Sequence, residues 1–80
     1  MKHARSDYDR IQDPLAKIPH DEPVFLIRGQ DRVGGDAVRA WADLAQLAGA
    51  RPKIVEAARQ QAAAMDQWRH RHRDKISDMP

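Results

Sequence analysis

Apolar positions along the chain fall into three patterns of different period. A continuous run, Val24-Phe25-Leu26-Ile27, is introduced by Pro23 and closed by Arg28-Gly29. A run apolar at successive positions reads as a strand covered on both faces. The predicted strand spans about 24–28. From Asp36 to Ala48 the pattern becomes helical, with Ala37, Trp41, Leu44 and Ala48 on one stripe that Ala40 and Leu47 widen. A second helical pattern starts at Pro52, where Ile54, Ala58, Gln61, Met65, Trp68 and His72 recur in steps of four and three. That is heptad spacing, with Val55 and Ala62 as flanks.

Local signals set the ends of these elements. Asp36 in a first turn complements the helix dipole, and Gly49 reads as the residue that closes the helix. Arg51-Pro52 opens the next helix, because proline is tolerated at the first helical position. The predicted elements are helices over about 36–48 and 52–75, joined by a connection short enough to make them an antiparallel hairpin. Asp13-Pro14 reads as a cap and start of one helical turn, which Pro19 stops. Residues 1–7 and the tail 77–80 read as flexible. The fold class is α+β, mostly helical, in a single small domain over residues 1–80.

One strand cannot satisfy its own backbone donors and acceptors. No second strand of comparable quality follows in the sequence. Pairing with the same strand of another copy is the simplest solution, and pairing with the extended N-terminal segment is the alternative. Composition points the same way. An 80-residue chain without cysteine has no disulfide to staple a thin, alanine-rich core. Trp41 and Trp68 are expected to share a core contact between the two helices.

Net charge is only +2, but its distribution is uneven. Residues 1–23 carry four Lys/Arg against five Asp/Glu, residues 24–50 three against three, and residues 51–80 seven against four. The cationic excess at the C-terminal end is compatible with an anionic partner without amounting to a dedicated nucleic-acid domain. No apolar stretch has the length of a membrane span or of a signal h-region, so a cytoplasmic setting is expected.

Candidate chemistry concentrates in the loop between strand and first helix. Arg28, Gly29, Gln30, Asp31, Arg32, Gly34 and Gly35 form a ligand-binding candidate. Amide groups at a helix start, with glycines and two arginines nearby, suit a small anionic, nucleotide-like ligand. The segment lacks the spacing of a P-loop or a dinucleotide fingerprint. A purely structural turn, with glycines supplying positive φ, is the other reading. Arg69, Arg71 and Arg73 beside Trp68 are a nucleic-acid candidate, although helical geometry fans them around the axis. His70 and His72, two residues apart, point to different sides of a helix and do not chelate together, so no metal site and no cofactor are expected. Ser6 and Ser77 lie in the expected flexible ends, and no nucleophile–base arrangement stands out. The chain is expected not to be an enzyme.

The segment Asp21-Glu22-Pro23-Val24-Phe25-Leu26-Ile27-Arg28-Gly29-Gln30-Asp31, with Trp41 and a later Met65…Trp68, resembles small uncharacterised accessory proteins of phages and prophages. The resemblance runs from Tyr8 to Trp68 and implies a setting in a host cytoplasm, without transferable site residues. Small proteins of that kind act by binding a host protein or by sequestering a signalling molecule, an anti-defence role. Three functions are therefore carried forward. The first is a non-enzymatic homo-oligomer that sequesters a small anionic ligand at the strand-to-helix loop. The second is a protein-interaction module that inhibits a host protein through the helical hairpin. The third is nucleic-acid binding by the basic C-terminal helix.

Overall fold

A computed structural model describes residues 1–5 and 13–72. The described chain is mostly helical, with strands β1 (Lys2–His3) and β2 (Pro23–Val24) and helices α1 (Gly34–Leu47) and α2 (Pro52–His72). Contacts group it into two units, divided between Ile27 and Arg28.

The first unit is built around a two-stranded parallel sheet. Lys2 pairs with Pro23 and His3 with Val24. The Lys2 N–H donates to the Glu22 carbonyl at 2.6 Å, and the terminal ammonium of Met1 donates to the Pro19 carbonyl at 2.5 Å. The ladder partner of the predicted strand is thus the N-terminal segment of the same chain. The strand is also shorter than the expected 24–28: only Pro23–Val24 pair. Pro23 has no N–H to donate, which limits the ladder at its start. Phe25 is exposed, so the apolar run is not covered on both faces. The expected helical turn after Asp13 is instead a closed turn. The Asp13 carboxylate accepts the N–H groups of Lys17 and Ile18, each at 3.0 Å, and Ala16 takes a φ of 49° that no right-handed helix allows. Tyr8 and Ile11 lie outside the described residues.

The second unit is α1 packed on α2, with the loop from Arg28. Gly49 ends α1 as its position suggested. Its φ is 89°, its N–H donates to the Gln46 carbonyl at 3.1 Å, and the Ala50 N–H donates to the Ala45 carbonyl at 2.9 Å. Those two bonds are a Schellman motif, which satisfies carbonyls the helix leaves open. α1 begins two residues earlier than expected, at Gly34, with Val33 as a cap that makes no side-chain hydrogen bond. The end of α2 agrees with expectation as far as His72, and residues 73–75 lie outside the described residues.

The helices bury a face that the large residues do not mark. Ala42 and Ala62 are fully buried, Val55 and Met65 nearly so, and Gly34 and Gly35 are buried at the start of α1. Trp41 is 52% exposed, Leu44 66% and Leu47 85%, while Ile54 and Trp68 are also exposed. The expected shared core contact of the two tryptophans is not formed. In place of the stripe through Trp41 and Leu44, α1 turns its glycine and alanine side inward. Of the register Ile54, Ala58, Gln61, Met65, Trp68 and His72, only Met65 is buried, and α2 buries the flanking Val55 and Ala62 beside it. The physical reason is close approach. Small side chains let two backbones come together, and a tryptophan between them would hold them apart.

Candidate interaction surface

The polar residues of α1 explain which way it faces. They are Asp36, Arg39, Asp43 and Gln46, at steps of three, four and three, and every other position from Gly34 to Leu47 is apolar. At about 100° per residue those four make one narrow strip. α2 engages three of them directly. Arg39 Nη1 lies 2.8 Å from Asp66 Oδ2. Arg59 Nη2 donates to Asp43 Oδ1 and to Gln46 Oε1, each at 3.0 Å. Asp36 completes the strip by holding Arg39 Nη2 at 2.7 Å. The hydrogen bonds that Arg39 donates, to Asp36 first and then to Asp66, raise its pKa further above the ordinary value. These pairs are solvent-exposed and add little stability each, but they fix the rotation of α1 about its axis.

That rotation leaves the rest of α1 without a polar cover. Trp41 and Leu44 project away from the polar strip among alanines, and Leu47 lies at the strip's edge, four residues after Asp43. A helix apolar over most of its circumference belongs inside an assembly or a larger core. A monomer of this size scatters single apolar residues over its surface; a contiguous uncharged helix face is a different observation.

The loop singled out in the sequence is spent mainly on packing. Gly29 lies against Met65 and Trp68, where an added Cβ would meet the Met65 Cα at 3.7 Å and Trp68 Cε3 at 3.8 Å. Asp31 is buried, its N–H donating to the Arg28 carbonyl at 3.1 Å and its carbonyl accepting from Gly34 at 3.0 Å. A Cβ on Gly35 would land on the Asp66 carboxylate and stand 3.2 Å from the Ala62 carbonyl. Asp66 therefore already places an anion at the first turn of α1, beside Asp36. Arg28 and Arg32 remain exposed, and Gln30 is half-buried.

Two candidate regions that are far apart in sequence meet here. The Arg69 guanidinium donates through Nη1 to the Arg32 carbonyl, which ties the loop to the C-terminal part of α2. Arg71 is exposed and lines a groove with Asp66, Gln67, Arg69 and His70. Arg73 lies outside the described residues. Trp68 stacks on His72 with ring centroids 3.8 Å apart, and His72 Nδ1 donates to the Trp68 carbonyl at 2.7 Å. His70 takes no part in that stack, as the two-residue spacing implied. Among the described residues no group of His, Cys, Asp or Glu could hold a metal ion, and no helix is long and apolar enough to cross a membrane.

No family model, curated protein or solved structure matches the chain. The functional reading therefore rests on the geometry of the two helices. Sequence reasoning missed Asp66 and Arg59, the α2 residues that fix the orientation of α1. The three-four-three spacing of Asp36, Arg39, Asp43 and Gln46 was the available signal for them.

Proposed function

We propose that this protein is a non-enzymatic protein-interaction module that works through its helical hairpin. The observation that carries the reading is the outer face of α1. Its polar residues are drawn into one strip beside α2, and the face left over is uncharged and holds Trp41 and Leu44.

The cross-links run in opposite directions along the two helices. Arg39 meets Asp66 while the later Asp43 and Gln46 meet the earlier Arg59, which supports an antiparallel hairpin. In an antiparallel pair this puts both polar strips on one flank. The opposite flank then carries Trp41 and Ala48 from α1 with Ile54, Gln61 and Trp68 from α2. A surface two helices wide, mostly apolar and holding two tryptophans, has the composition of an interface core. A small-ligand site needs a concave pocket with converging polar groups, which this face does not supply.

Anionic-ligand binding at the Arg28–Asp36 loop is the second reading, favoured by the exposure of Arg28 and Arg32 and by Arg69 beside them. Its glycines, however, are used for contact with α2 rather than left open to a ligand.

Site-specific photo-crosslinking in the producing cell tests the interaction reading. A benzophenone side chain placed at Leu44 is expected to give protein adducts, and the same group at Glu56 on the polar flank is expected to give none. Absence of adducts at Leu44, with the chain folded and abundant, contradicts the reading.

A further inference from the structure

We infer that the C-terminal end of α2, with the loop from Arg28 to Arg32 beside it, is a site for single-stranded nucleic acid. The inference goes beyond the interaction reading and does not use its anchor at Leu44.

A site of this class combines a flat ring, on which a base stacks, with cations for the phosphates. The ring here is His72. It lies on the Trp68 indole with centroids 3.8 Å apart and planes 10° from parallel. Its Nδ1 donates to the Trp68 carbonyl at 2.7 Å, which fixes the direction of the ring. The indole beneath is seated in turn, since a Cβ on Gly29 would meet its Cε3 at 3.8 Å. Both rings belong to exposed residues. The indole takes one face of His72, and an unpaired base on the other face would continue the column.

In the sequence, Arg69, Arg71 and Arg73 fan around the helix. The stack decides what the first two do. Trp68, Arg71 and His72 stand at i, i+3 and i+4, so Arg71 is a neighbour of both rings. Arg71 is exposed and lines the groove with Asp66, Gln67, Arg69 and His70, a row of hydrogen-bond donors apart from Asp66. The loop lies on the other side of the rings. Arg28, also exposed, is the chain neighbour of Gly29, and Arg69 donates to the Arg32 carbonyl. Cations from two segments distant in sequence therefore flank one aromatic pair. Carboxylates are kept from it. From Gln67 to His72 α2 carries none, Asp66 is held by Arg39 at 2.8 Å, and Asp31 of the loop is buried. Charge complementarity selects a polyanion, and the stacked rings select one that carries bases.

Fluorescence anisotropy of a labelled oligothymidylate, about 15 nucleotides long, titrated with the full chain tests this. A saturable rise is expected at about 50 mM salt, and log affinity is expected to fall against log salt with a slope of about −2. An abasic strand of the same length keeps the phosphates without the bases and is expected to bind about tenfold more weakly. His72→Ala is expected to cost about tenfold on oligothymidylate and nothing on the abasic strand. Arg71→Gln is expected to reduce the slope by about 0.7. Arg51→Gln, at the hairpin turn, is expected to leave binding unchanged. No saturable rise up to about 100 μM protein overturns the site, and so does equal affinity for the abasic strand. The wild-type chain alone decides both. Binding that survives His72→Ala and Arg71→Gln unaltered overturns the assignment to this end of α2.

Discussion

Ala62→Leu is expected to destabilise the protein by about 1–3 kcal/mol, whereas Ala63→Leu changes stability by no more than about 0.5 kcal/mol. The two residues are neighbours in a run of three alanines, and leucine suits a helix almost as well as alanine does. Propensity therefore does not separate them. Position does: Ala62 is fully buried against α1 and Ala63 is exposed. A leucine at 62 has to fit where the helices approach on small side chains alone, with Ala42 fully buried on the facing helix. The added carbons must push the backbones apart or take a strained rotamer. For a domain of this size the melting temperature of Ala62→Leu falls by on the order of 5–15 °C. Thermal melts followed by circular dichroism check both variants. Equal effects would mean that the alanine face is not the contact between the helices.

Gly35→Val carries the second large effect, a loss of about 1–3 kcal/mol. The cause is again close approach, and it does not depend on a positive φ. A side chain at 35 displaces the Asp66 carboxylate from the first turn of α1, and with it the Asp66 bridge to Arg39. Moving the carboxylate is cheap, because it ends a flexible side chain. The Ala62 carbonyl at 3.2 Å belongs to the backbone of α2 and yields less. The milder Gly35→Ala separates the two contributions. Combined with Asp66→Ala it is expected to cost less than it does alone, because its nearest obstacle is gone. A double-mutant cycle measures that coupling. Strict additivity would show that Asp66 does not sit over Gly35.

Much of the helical layout was legible in the sequence. Gly49 and Pro52 mark the junction between α1 and α2 through purely local effects, a left-handed φ and a proline at a first helical position. Such effects survive whatever the rest of the chain does. The start of α1 was harder to place. Gly34 and Gly35 read as loop, and the contact of Gly35 with Ala62 and Asp66 seats this turn against α2.

The rotation of the helices was not legible from hydrophobic periodicity. Periodicity weights large residues, so Trp41, Leu44 and Trp68 outweighed Ala42, Ala62 and Gly35. The interior of α1 and α2 is set by how closely two backbones come, a property alanine and glycine confer without a strong hydropathic signal. The polar strip of α1 carried the same information in complementary form. Asp36, Arg39, Asp43 and Gln46 leave the tryptophan stripe outside once their partners Arg59 and Asp66 are known, and those lie on another helix. The strand partner, the N-terminal segment, stood only as the alternative to a second copy, since Lys2-His3 has no apolar pattern to mark it as a strand.

The candidate loop from Arg28 to Gly35 was correctly marked as the junction into α1. Its chemistry was open to two readings, because the same glycines serve a ligand or a neighbouring helix. Contacts of Gly29 and Gly35 with α2 decide what those two residues do in the fold, and the proposed interaction surface lies on residues that periodicity had assigned to the interior.

The central claim is that α1 turns its small side inward and keeps its large side for a partner. Carbene footprinting with residue-level readout across a dilution series tests it most directly. The expected result is strong labelling of Trp41 and Leu44 in the most dilute sample, with Val55 and Met65 protected throughout. Protection of Trp41 and Leu44 at every dilution, alongside labelling of Val55, would place the large side between α1 and α2 and contradict the proposal.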